Sequence, residues 1–109
     1  MPRPLVSIIT PFWNEALYIN RCLDSIINQS YSNWELILIN DGSTDDSPDI
    51  AKKYEALDIR IKLIHKQNSG ILPSLALGFA KAEGQYITRM DADDEMPTNR
   101  LELMLDHLV

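Results

Sequence analysis

Trp34-Glu35-Leu36-Ile37-Leu38-Ile39 is apolar at every position but one. A strand with one wet face alternates apolar and polar residues, whereas a strand covered on both faces reads as a continuous hydrophobic run. The segment therefore predicts a buried strand of a parallel sheet. Three further apolar runs flank it: Leu5 to Thr10, Ile59 to Leu63 and Gln85 to Met90. Between and after them lie four helical patterns. Ile19, Cys22, Leu23, Ile26 and Ile27 form a stripe at i, i+3, i+4, i+7 and i+8. Ser47-Pro48-Asp49 is a helix start, with Ser47 as N-cap, proline in the first turn and an acid near the positive dipole end. Ile50, Tyr54 and Leu57 are the expected inner face of that helix. Leu72, Leu75, Ala76, Phe79 and Ala80 repeat the spacing, with Pro73 in the first turn and Gly84 as the expected residue past the helix end. Leu101, Met104, Leu105 and Leu108 give the last stripe, with Pro97 near its start.

Alternation of strands and helices predicts right-handed βαβ units, hence an α/β Rossmann-like, mainly parallel sheet with helices on both faces. The clean alternation of Ile59-Arg60-Ile61-Lys62-Leu63 marks that strand as an edge. The predicted strand order is 3-2-1-4, with a switch point between strands one and four. Ligands in such sheets bind beyond the carboxyl ends of the strands near that point.

The unusual polar residues fall at those ends: Asn14 and Glu15, Asp41, Asn68, then Asp91 and Asp93. Met90-Asp91-Ala92-Asp93-Asp94 sets carboxylates two residues apart. A pair about 4 Å apart repels by about 4 kcal/mol at an effective dielectric of 20. A cation between them relieves that cost, and hard oxygen ligands suit Mg²⁺ or Mn²⁺ completed by water and substrate phosphate. The plainer reading of an isolated Asp-x-Asp is a solvated acidic turn. Arg89 shares a strand face with Asp91, so it either steadies the acids as an ion pair or meets a phosphate. Asn14 either caps the first helix or meets a ligand, and Trp13 either packs under the loop or offers its ring to a flat base. Asp41 stands where a carboxylate can accept a hydrogen bond from a base N–H or a ribose hydroxyl, while Asp45 and Asp46 read as solvated.

Several classes are excluded. A net charge of −6 with a pI near 4.7 argues against a nucleic-acid binder. The chain has neither GxGxxG nor GxxxxGK[ST]. Asp91 to Glu102 has the length of an EF-hand loop, but Met96 stands where that loop needs glycine. No apolar run approaches the roughly 20 residues of a membrane span. One cysteine, Cys22, permits no internal disulfide and reads as core. His65 and His107 are weak candidates for metal or catalysis. A phospho-accepting receiver would need paired acids after strand one, where Pro11-Phe12-Trp13 stands, and a nucleotidyltransferase would carry a basic glycine-rich loop there.

Three segments in order, Val6 to Glu15, Trp34 to Asp45 and Gly84 to Asp94 with Pro97 and Arg100-Leu101-Glu102, resemble the family-2 inverting glycosyltransferases of the GT-A fold. Trp13 stands where a tyrosine is common, and Leu75-Ala76 where many members carry Arg-Asn. The resemblance implies that Thr10, Pro11, Trp13, Asn14 and Glu15 line a nucleotide pocket and that Asp41 holds the base, usually uracil. Asn68 and Gly70 join the nucleotide-sugar-binding set. Asp91 is implied near ribose and metal, and Asp93 as ligand of the Mg²⁺ or Mn²⁺ bridging the donor diphosphate. The implied partners are a nucleotide-diphosphate sugar and a carbohydrate or lipid-linked acceptor in polysaccharide biosynthesis. The family's general base lies beyond the metal motif, so residues 1–109 are expected to be a single partial domain, the nucleotide-sugar-binding half, inactive alone and with no catalytic residue assigned. An inert fragment or a receiver-like module is the alternative. Expected too are a cytoplasmic location, peripheral at the cytoplasmic membrane face in a longer protein, and self-association through an exposed sheet edge.

Overall fold

The computed structural model describes residues 3–108. In chain order it contains β1 (Val6–Phe12), α1 (Ile19–Ile27), β2 (Trp34–Asp41), α2 (Ser47–Leu57), β3 (Ile61–Lys66), α3 (Ile71–Lys81), β4 (Tyr86–Arg89) and α4 (Arg100–Leu108). All strand pairs are parallel and their order is β3-β2-β1-β4, as the patterning predicts. Every residue of β1 and β2 is buried, which accounts for the continuous apolar runs. On one face Val6, Ile8, Leu36 and Leu38 pack with Ile19, Cys22, Leu23 and Ile26 of α1, Ala51 of α2, and Leu101 and Leu105 of α4. On the other, Ile9, Ile37 and Ile39 meet Leu75 and Leu77 of α3. Among the described residues no helix is long and apolar enough to cross a membrane.

Five local expectations change. The third strand begins at Ile61, not Ile59. Asp58 accepts hydrogen bonds from Arg60 N, Nε and Nη2, and the Arg60 guanidinium lies 3.7 Å from the Trp34 ring centre. That clasp makes a turn of 58–60 and leaves Ile59 fully exposed. Ser47 is the first residue of α2 rather than its cap, and Asp45 Oδ1 accepts from Ser47 N at 2.9 Å and from its hydroxyl. Leu57, expected on the inner face of α2, is exposed.

The inward face of α3 is the fourth departure. Leu72 and Phe79 point outward, and the buried residues are Ser74 and Gly78. A Cβ on Gly78 would stand 2.3 Å from Ile9 Cγ2 and 2.9 Å from Ile39 Cδ1. Small residues let the helix lie close on the sheet, so packing distance overrides the apolar stripe.

The fifth concerns Gly84. The helix ends at Lys81 with extended Ala82 after it, and Gly84 does not cap it. Its role is steric: a Cβ would fall 2.7 Å from Ser7 N and 2.8 Å from Leu5 O, backbone atoms that cannot yield. Gly84→Ala is expected to cost about 2 kcal/mol and to lower Tm by about 10 °C in a thermal melt followed by circular dichroism. An unchanged Tm would show that the approach relaxes freely.

Candidate functional site

Because the four strands run in parallel, their carboxyl ends share one rim. Phe12 leads into Trp13, Asn14 and Glu15; β2 ends at Asp41; Lys66 leads into residues 67–70; and Arg89 leads into Asp91 and Asp93. A cavity of about 370 Å³ opens there. Of the residues expected from sequence, Pro11, Trp13, Glu15, Asp41, Asp91 and Asp93 line it. Phe12, Ile71, Ser74, Arg89 and Ala92 complete the wall. Thr10, Asn14, Asn68 and Gly70 stand outside that lining.

Those four have definite places. Thr10 is fully buried, and its Oγ1 has no hydrogen-bond partner among the described residues. Asn14 does not cap α1, which begins at Ile19 after Tyr18. It adopts a left-handed φ of 51°, and its Oδ1 accepts from Thr44 N at 2.7 Å and Asp45 N at 3.2 Å. Asp45 Oδ2 accepts from Ala16 N at 3.1 Å. Asn14 and Asp45 thus staple the loops after β1 and β2 together, and Asp45 is not merely solvated. Burial works to raise the Asp45 carboxyl, but the bonds from Ser47 and Ala16 outweigh it and hold the group below its ordinary range. Asn68 Nδ2 donates to the Asp41 carbonyl at 3.0 Å.

Asp41 is buried and heavily bonded. Its Oδ1 accepts from Lys66 Nζ at 2.7 Å and Ser69 N at 2.9 Å, and its Oδ2 from Gly70 N at 3.0 Å. Burial favours the neutral acid, yet these donors prevail and keep the carboxyl below the usual range. Lys66 went unread in the sequence. Its signal was register: Asp41 and Lys66 are direct partners across β2 and β3.

The opposite wall is less compensated. Asp91 and Asp93 are exposed to the cavity, and Arg89 Nε donates to Asp91 Oδ1 at 3.1 Å, the ion pair of the modest reading. Partial burial raises the Glu15 carboxyl, and the charges of Asp93 and Asp45 raise it further. Carboxylates gathered this closely disfavour one another's charged forms. Among the described residues no set of three or more His, Cys, Asp or Glu could hold a metal by itself. The donor set is hard oxygen from one or two carboxylates, which fits Mg²⁺ or Mn²⁺ sharing a phosphate rather than a closed protein cage. Neither His65 nor His107 lines the cavity.

The polar edge of α1 carries the acidic loop. Cys22 Sγ lies 3.5 Å from the Asp91 carbonyl, Met96 N donates to Ser25 Oγ at 2.9 Å, and buried Gln29 donates to the Pro97 carbonyl at 2.6 Å. Burial, with the acids nearby adding, pushes the Cys22 thiol up to about 12, so it is a packed thiol and not a nucleophile. Gln29 is the other residue that sequence reading missed.

Residues 7–109 match the family model described as glycosyl transferase family 2. The chain belongs to that family. Among relatives of this family-2 chain is EpsH of Bacillus subtilis (strain 168), named as a glycosyltransferase and 41 % identical over 96 % of the chain and 30 % of EpsH. S. aureus TarS 1–349 in complex with UDP-GlcNAc superposes with a TM-score of 0.88 at 26 % identity, over 94 % of the chain and 30 % of TarS. The mannosyltransferase PcManGT of Pyrobaculum calidifontis, in complex with GDP-Man and Mn²⁺, gives 0.81 at 28 % identity, over 88 % of the chain and 29 % of PcManGT. The family-2 chain therefore spans about a third of the length of these proteins, and its sheet is the GT-A sheet expected from sequence.

Proposed function

We propose that the cavity binds the nucleoside diphosphate of a sugar donor, preferentially a UDP-sugar, for inverting transfer to an acceptor hydroxyl. The observation that carries this reading is the meeting of Glu15, Asp91 and Asp93 around one cavity at the carboxyl ends of β1 and β4. An acidic protein that takes an anionic diphosphate needs a cation between the two. Asp93 with Asp91 would hold that Mg²⁺ or Mn²⁺, which when bound supplies charge neutralisation to the departing diphosphate. Trp13 and Pro11 offer a flat wall, Asp41 an acceptor for the base, and Asn14, Asn68 and Gly70 fix the loops behind them, while Thr10 is buried in β1. Arg89 is placed to meet phosphate once a cation takes its place on Asp91. Structural neighbours complexed with UDP-GlcNAc, and with GDP-Man and Mn²⁺, support the choice of ligand class.

Calorimetric titration of UDP into the chain tests this directly. Binding is expected with Mn²⁺ and is expected to vanish with EDTA. A folded sample that takes up UDP equally well in EDTA would remove the metal from the reading, and one that binds in neither condition would remove the site.

A further inference from the structure

Asp41 has more partners than a base-reading carboxylate requires, and their arrangement is informative. An ionised carboxylate offers about four lone-pair sites. On Asp41 two belong to Oδ1 and are filled by Lys66 Nζ and Ser69 N, while Gly70 N fills one on Oδ2. One acceptor site remains, on a residue that lines the cavity. Lys66 is equally committed. Its three donors go to Asp41 Oδ1, the Gln67 carbonyl at 2.9 Å and the Ser69 hydroxyl. The pair is sheltered, with side chains 16 % and 9 % exposed. Lys66 thus fixes the rotation of the carboxylate and ties down the 67–69 loop that supplies another of its donors.

Resting on the donor-site reading above, we infer that Lys66 is a positioning residue for base selection: it leaves Asp41 a single, fixed acceptor that favours bases with a ring N–H. Uracil N3–H and guanine N1–H are such donors, whereas N3 of cytosine is itself an acceptor and meets the carboxylate with repulsion. Without Lys66 each carboxylate oxygen has an open lone pair, the group can rotate, and the preference for an N–H in one direction is lost.

The test is a two-by-two titration, with Mn²⁺ present, of UDP and 3-methyl-UDP into the chain and into its Lys66→Met variant. The methyl group removes the N3 donor and leaves the rest of the nucleotide unchanged. The unmodified chain is expected to prefer UDP by about tenfold or more, the usual worth of a hydrogen bond to a charged acceptor. In Lys66→Met, UDP is expected to weaken until the two nucleotides bind alike, while 3-methyl-UDP keeps its affinity. A loop that had merely loosened would weaken both nucleotides together and preserve their ratio, and that outcome overturns the inference. Equal affinity of both nucleotides for the unmodified chain overturns it too, yet leaves the donor site standing. No UDP binding by the folded, unmodified chain overturns both. Should Lys66→Met not fold, Lys66→Leu, which likewise has no N–H donor to fill Oδ1, carries the same comparison and the same expected loss of ratio.

Discussion

Asp93→Asn is expected to erase the Mn²⁺-linked part of UDP affinity, by roughly 100-fold or more if loss of a direct ligand exceeds the 10–100-fold typical of outer-shell partners. The side chain is exposed in the cavity, and only its backbone carbonyl is held, by Arg21 at 3.4 Å. Shape is conserved by the substitution and charge is not. Folding should therefore be indifferent, and Tm should stay level or rise slightly as a repulsion with Glu15 is relieved. In EDTA the variant should behave as the parent chain does, with no UDP uptake. Calorimetry with and without Mn²⁺ reads the difference. A variant that keeps its full Mn²⁺ enhancement would place the cation elsewhere.

The second large effect concerns stability. Glu35 is the one polar residue in the apolar run of β2, and it is buried. Its Oε2 accepts from Ser7 Oγ at 2.5 Å and Glu83 N at 2.7 Å, and its Oε1 from Lys62 Nζ at 2.9 Å. Ser7 Oγ in turn accepts from Gly84 N at 2.8 Å. One carboxylate thereby joins β1, β2, β3 and the entry to β4. Glu35→Ala would strand the buried Ser7 hydroxyl and the partly buried Glu83 N–H, while half-exposed Lys62 returns to water, and is expected to cost about 2–4 kcal/mol, a large share of the 5–15 kcal/mol typical of a domain. Thermal or urea melts read this loss, and a change below 1 kcal/mol would show that the network is dispensable.

The same carboxylate sets a pH signature. Burial would raise the Glu35 carboxyl, but Ser7, Glu83 N and Lys62 prevail and hold it below its ordinary value. A depressed carboxyl contributes stability that is present above the unfolded value, about 4.3, and lost as pH falls through the folded one. The parent chain should lose stability on acidification below pH ~4.5, and Glu35→Gln should flatten that part of the profile. Asp41, Asp45 and Asp58 are also depressed and add to the slope, so the comparison with Glu35→Gln isolates one share.

Periodicity located every element because burial on a sheet leaves its mark in residue order. It failed where a tertiary constraint outranked local pattern. Ile59 continues the alternation of β3, yet the Asp58–Arg60 clasp takes it out of the ladder. Ser47 reads as the cap of α2, yet Asp46 takes that position, and Asp45, which accepts from Ser47 N, is held by the loop after β1, some thirty residues away. On α3 the apolar stripe at Leu72 and Phe79 misleads, since Ser74 and Gly78 approach the sheet. The acids of the site were legible because parallel strands end on one rim. Their holders, Lys66 and Gln29, were not, because their bonds join distant segments.

The position of β1 has a consequence for how the protein is made. β1 is synthesised before both of its neighbours, and it is an interior strand of the sheet: Val6 pairs with Trp34 on one side and Tyr86 on the other. Its second flank cannot close until residue 86 has been made. Loop closure over such separations slows folding. Nascent chains arrested before residue 86 should bind chaperones more strongly than those extended past α4.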